Sequence, residues 1–295
     1  MSSIASPAGA PVVNPRARRR RLLLKRFLRR PMAIAGFVVV LVFVVIAIFA
    51  PLLAPHDPSA ADFSHTFAHI SSKHLLGSDQ LGRDQLSRII WGARASMQVG
   101  FLSTMLAMAI AVPIGMVAGY YRGWVDTVIA RVTDVLLSFP FLILAVGLAA
   151  ILGASLLNAT LALGISAVPA FIRIARGETL ALREEDYVPA AIANGASDRT
   201  IIFRHILPNM TSTLLVQATV TIPAAIIGEP ELSFLALGVQ PPTPSWGTML
   251  SDAQQYLAQA PRLAVFPGLA IVLAALAFNV FGDGLRDVLD PRTTR

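Results

Sequence analysis

The chain has 295 residues, of which 55% are hydrophobic, only 14% are charged and none is cysteine; soluble domains usually carry about 25% charged residues. With a mean hydropathy of +0.66, it reads as a chain solvated largely by lipid, and it can form no disulfide, thiolate metal site or cysteine nucleophile. The net charge is +7, yet nine of the cations fall between Arg16 and Arg30, so the basicity is local and fits a juxtamembrane anchor on anionic lipid, not a nucleic-acid footprint.

A helix needs about 20 apolar residues to cross a hydrocarbon core of about 30 Å, so uncharged stretches of that length mark candidate spans. The first, Met32 to Ala54, follows the basic arm. Arg20 and Arg21 before LLLK loosely imitate a twin-arginine signal, but the apolar stretch is longer than that of a cleaved signal peptide, and it is expected to be retained as a span. Further uncharged stretches run from Ala95 to Tyr121, Val135 to Ile172, Ile206 to Gly228 and Leu263 to Gly282. Val135 to Ile172 would be about 57 Å long as one helix, nearly twice the core thickness, and must fold back. Gly153, Ala154, Ser155 and Asn158 near its middle predict a tight hairpin that divides it into two spans. The expected fold is an all-α polytopic membrane protein with six transmembrane helices. Leu232 to Ser251 is also uncharged but carries Pro241, Pro242, Pro244, Gly238 and Gly247. A lipid-exposed backbone could not satisfy itself there, which predicts a segment outside the membrane or a re-entrant one buried by protein.

Six spans put both termini on one side, and the cationic arm assigns that side to the cytoplasm. The loops then hold 19 Lys and Arg inside and five outside, the five being Lys73, Arg83, Arg88, Arg94 and Arg262. Trp91, Tyr120, Tyr121 and Trp124 fall beside span ends, as interfacial aromatics do.

Between the fourth and fifth spans, a polar stretch from about Arg173 to Arg204 is long enough for two short helices. Asp186 is a candidate N-cap with Pro189 in the first turn and Gly195 as the stop; Ser197 or Asp198 caps a second helix that Pro208 is expected to end. Ala190, Ala191 and Gly195 form a small-residue face that lets a partner surface approach closely.

The string YVPAAIANGASDRTIIFRHILP from Tyr187 resembles the EAA signature of ABC importer permeases: EAA, three residues, G, nine residues, I, one residue, LP. Ala190, Ala191, Gly195, Leu207 and Pro208 fall on its positions, while Pro189 replaces the Glu and His205 the Ile. LLGSDQLGRDQLSRIIWGARASM from Leu75, LSFLALGVQPPTPSWGTML from Leu232 and AFNVFGDGLRDVLDP from Ala277 closely resemble the C-type permease subunit of dipeptide, oligopeptide and nickel importers. Ala236 stands where that family usually has Gly, and Pro230 with Glu231 departs after Glu229, so a locally altered backbone is expected. The resemblance implies a MetI-like permease core over 95–290 with a coupling segment at 186–208. It further implies a basic arm over 1–30, a first span with an external segment over 31–94 and a tail at 291–295. It implies as partners a second homologous permease, two ATP-binding subunits or one two-domain ATPase, an extracytoplasmic binding protein and membrane lipid, all in the bacterial cytoplasmic (inner) membrane. The cargo it implies is a dipeptide or oligopeptide, with nickel, glutathione or another small solute as the alternative.

The chain has no GxxxxGK[ST], HExxH or GxSxG, so no cofactor and no catalysis are expected of it, and ATP with Mg would be used by partner subunits. An ion-coupled transporter favours ionisable groups at mid-depth, which the charge-free spans do not supply, and a membrane scaffold is the remaining alternative. Glu229 and Glu231 at the end of the fifth span are candidates for the substrate path or a binding-protein contact, set against a simple interfacial pair. Arg131 and Asp134 are spaced to pair structurally. His65 and His69, with Asp62 and His74 nearby, would share a helical face, but as loop residues they are not expected to form a metal site.

Overall fold

The computed structural model describes residues 25–289. Most of the basic arm, including Arg20 and Arg21, and the tail with Arg292 and Arg295 lie outside the described residues. Among the described residues from Pro31 onward, ten α-helices follow in chain order: α1 Pro31–Leu53, α2 Gln85–Tyr121, α3 Gly123–Ser138, α4 Phe141–Leu152, α5 Leu156–Arg183, α6 Tyr187–Ala193, α7 Asp198–Thr200, α8 Leu207–Phe234, α9 Trp246–Ala253 and α10 Arg262–Leu289. Among the described residues, five helical stretches are long and apolar enough to cross a membrane: α1, α2, α5, the run Asp198–Phe234 that ends in α8, and α10. The sixth candidate is the pair α3 and α4, bent by 91°.

That bend changes the expected division of Val135 to Ile172. The hairpin falls where Gly153 and Ser155 place it: Gly153 adopts φ +87°, Ser155 caps α5 by accepting from the Asn158 amide, and the Asn158 side chain donates to the carbonyls of Leu152 and Gly153. The helix before it, however, is not a straight span. Pro140 keeps Phe139 extended (ψ 131°), because a residue preceding proline avoids the helical region. With 12 residues, α4 is about 18 Å long, too short to cross by itself.

The bundle is built around α2 and α5, which approach closely through small residues. Gly115 and Gly119 lie one turn apart on α2 against Ile172, Ala175, Arg176 and Thr179 of α5; a Cβ added at Gly115 would come within 2.6 Å of the Ala175 Cβ. Close backbone packing of this kind replaces the hydrophobic effect as the source of helix association in lipid. On the other side, α10 packs on α1, where Gly36 lies against the backbone of Ala277 and Phe281. Exposed Val, Leu and Ile along α1 and α10 are what lipid-facing helices require.

Of Leu232 to Ser251, residues 238–239 and 244–249 are buried against protein, whereas 234–236 and 240–243 are exposed. α8 ends at Phe234, the chain turns through 235–245, and α9 returns with Trp246 fully buried. Ala236 at this turn has φ +59°, the left-handed conformation that glycine adopts freely and alanine at a cost.

Candidate coupling surface

The segment between α5 and α8 forms a compact unit whose inner face belongs to the core. Val188 of α6 and Ile201, Ile202 and Ile206 are buried in one cluster with Met116 of α2 and Phe171, Ile172 and Ala175 of α5. Any displacement of this segment therefore presses directly on the two central helices. Its other face is open: Pro189, Ala190, Ala193 and Gly195 are exposed, with Ile192 at 53% and Phe203 at 54% exposure. Ala191 is half-buried, and a Cβ at Gly195 would meet nothing within 4 Å.

Two local expectations need correction. Asp186 precedes α6 in a helical conformation and makes no side-chain cap; the turn is closed at the other end, where Gly195 at φ +77° lets the Ala196 amide donate to Ala191 O at 3.0 Å. Pro208 does not end a helix. It sits in the first turn of α8, where a missing N–H costs least. The wider π-helical turn Ile201–Ile206 just before it carries the chain into the span without interruption. Ser197 does cap α7, accepting from the Thr200 amide. Leu207 and His205 are half-buried, with the His205 ring tilted beside Tyr187 at 6.3 Å.

A joint ties this segment to both central helices. The Tyr120 hydroxyl at the end of α2 donates to Asp198 at 2.8 Å, Arg183 of α5 donates to Tyr120 O at 2.6 Å, and its guanidinium lies 5.3 Å from the Tyr120 ring. Further pairs brace α3 and α5 here: Arg176 with Asp126, and Arg173 with Asp134 at 2.9 Å. Asp134 thus pairs across helices with Arg173, and not with Arg131 at the i,i+3 spacing.

At the opposite end of the bundle, Glu229 is fully buried and accepts from the hydroxyls of Ser233 and Ser245, both at 2.8 Å. Ser245 also caps α9 in a reciprocal box with Thr248. Glu229 therefore anchors the returning segment to α8, while Glu231 is half-buried. An ion network that the sequence order does not announce is formed by Asp79, Arg83, Arg88 and Asp252. Arg83 donates to Asp79 at 2.6 Å, Arg88 lies 3.4 Å from the same carboxylate, and both guanidinium groups reach Asp252 of α9 at 3.8 and 3.7 Å. Burial pushes the Asp252 carboxyl up against the pull of Arg88 and Arg83. Arg262, at the start of α10, donates to the carbonyls of Phe67 and Ala68. The signal was present in GSDQLGRDQ: charges buried in an apolar chain need partners.

His65 and His69 do not share a helix. His65 ends a single 3-10 turn and bonds Asp62 at 2.8 Å, while His69 is exposed in irregular chain. Hydrogen bonds from Ser64 and His65 hold the Asp62 carboxyl down at about 2.

Residues 111–295 match the family described as binding-protein-dependent transport system inner membrane component, and residues 19–71 match the N-terminal TM domain of oligopeptide transport permease C. The chain is 44% identical to the dipeptide transport system permease protein DppC of Alkalihalophilus pseudofirmus, over 92% of this chain and 90% of that one. It is 45% identical to the glutathione transport system permease protein GsiD of Pectobacterium atrosepticum, over 91% and 89%. A chain of the MetNI methionine ABC transporter, solved in inward-facing conformations, superposes with a TM-score of 0.57 at 19% identity, covering 70% of this chain and 98% of that one. The chain belongs to the family of binding-protein-dependent transport system inner membrane components.

Proposed function

We propose that this chain is one permease subunit of an ATP-driven importer of short peptides, and that it works beside a second, homologous permease. The observation that carries the reading is the two-faced segment 186–208: small and exposed outside, fused to the α2–α5 core inside. Such a surface suits the groove of an ATP-binding partner, either two subunits or one two-domain chain, in which ATP and Mg do their work. The chain itself then catalyses no reaction. Closing of the ATPases moves α6, α6 moves the cluster around Phe171 and Met116, and the helix bundle passes between two discrete packings.

The ends of α2 and α8 that carry Asp84 and Glu229 face outward in this reading, with the coupling segment in the cytoplasm of a bacterial cell. An extracytoplasmic binding protein docks over 56–94 and 229–262. The charge bias of the loops supports that orientation. Dipeptide cargo is supported by the dipeptide relative, and glutathione is a second reading supported by a relative of equal similarity. Uptake into proteoliposomes that hold the assembled transporter separates them: ATP-dependent accumulation of labelled dipeptides, glutathione or nickel identifies the cargo. Absence of any ATP-dependent uptake across that panel would refute the peptide reading.

A further inference from the structure

Outside the coupling surface, the fold gathers three metal-ligating side chains from three separate segments. His56 follows α1, His74 lies in the loop, and Asp84 caps α2, accepting from the Ser87 amide at 2.8 Å. His74 Nδ1 lies 3.0 Å from Asp84 Oδ1, and His56 Nδ1 lies 3.8 Å from Asp84 Oδ2. The two imidazoles stack at 5.1 Å, and one ligand atom from each of the three residues falls within 4.8 Å of the others. His74 is 6% exposed and Asp84 3%. Ser87 braces the group: its hydroxyl donates to Asp84 Oδ2 at 2.7 Å and accepts from the His56 amide at 3.0 Å.

Two ring nitrogens here, His56 Nδ1 and His74 Nε2, are buried with no hydrogen-bond partner. Buried polar atoms are seldom left so, because each forfeits its hydration without return. Two imidazoles and one carboxylate are the donor set of a zinc-type ion, with a fourth position for water. A cavity of about 580 Å³ bounded by His56, Trp91, Pro242 and Pro244 lies beside His56.

The geometry points to a binding site for a divalent transition metal of the zinc type at His56, His74 and Asp84. The ion clips the end of α1, the following loop and the start of α2 into one unit. It is a resident of this chain and does not depend on what the transporter carries.

The test uses the full-length protein purified in detergent, stripped with a chelator and titrated with zinc against a chromophoric competitor. The expected result is one zinc per chain, with His56→Ala and His74→Ala each weakening binding by at least about 100-fold, more than loss of a supporting contact does. Asp84→Asn, which still accepts from the Ser87 amide, weakens it as well, and His69→Ala leaves it unchanged. His56 is only half-buried, so its variant keeps the fold, as an unchanged gel-filtration profile verifies. Cobalt in place of zinc gives the strong visible absorption of a four-coordinate site. Failure of the wild-type protein to take up zinc stoichiometrically, or binding that His56→Ala leaves intact, overturns the assignment.

Discussion

The Tyr120 hydroxyl donates to Asp198 Oδ1 across 2.8 Å, and this single bond joins the end of α2 to the start of α7. A hydrogen bond to a charged group contributes about 1.5–3 kcal/mol net. Tyr120→Phe removes it while keeping the ring under Arg183. The expected outcome is a complex that assembles normally but in which ATP hydrolysis responds to the loaded binding protein several-fold less, measured in reconstituted vesicles. An unchanged response would mean that the joint plays no part in transmission.

Glu229 and Ser245 form the corresponding tie at the other end of the bundle. Glu229→Gln retains an acceptor for the two serine hydroxyls, so thermal unfolding in detergent should shift little. Glu229→Leu leaves the Ser233 hydroxyl buried without its acceptor and Ser245 with only the longer contact to the Thr248 hydroxyl at 3.3 Å, and a loss of about 1–3 kcal/mol is expected from the orphaned group. A Gln variant as unstable as the Leu variant would show that charge, not the hydrogen bonds, holds the segment.

Trp246 fills the space between α9 and α2. Its indole nitrogen donates to Ile89 O at 3.1 Å, Phe43 meets it edge-on at 5.5 Å, and Gly92 gives it room, since a Cβ there would come within 2.9 Å of the indole. Trp246→Ala should therefore destabilise the protein by about 3–5 kcal/mol, read as a lowered unfolding midpoint, and Gly92→Val should act in the same direction.

The parts of this molecule that were legible in sequence are those set by local rules. Five long helices follow from charge-free length, and the Gly153–Asn158 hairpin from one left-handed glycine and one capping serine. The closure of α6 at Gly195 is equally local. The 91° break at Phe139 was written in Pro140, but counting uncharged residues passes over a proline that carries no charge. The passage of Pro208 into α8 depends on the π-helical turn before it, which no residue pattern announces. Long-range polar clusters were illegible for a different reason. Asp252 meets Arg83 and Arg88, and His56 meets His74 and Asp84, only once the loops are packed. The histidines closest in sequence drew attention instead.

Ala236 occupies a left-handed turn position that costs a non-glycine residue about 1–2 kcal/mol. Glycine relieves that strain but frees the unfolded chain, which offsets part of the gain. Ala236→Gly is expected to raise stability by about 0.5–1 kcal/mol without altering transport, measured by thermal unfolding of the purified protein. A destabilised variant would show that the alanine methyl makes contacts worth more than the strain.

Under the proposed function, an ATP-hydrolysing partner grips the open face of the segment that carries Ala190, Ile192 and Gly195. Because the chain has no cysteine, single cysteines at Ala191 and Gly195 introduce one reactive thiol each on an otherwise silent background. Thiol crosslinking in native membranes should join Gly195→Cys to an ATP-binding subunit, with a yield that changes when ATP is added. Crosslinks that never capture such a subunit at either position, in a complex still competent for transport, would rule out that grip.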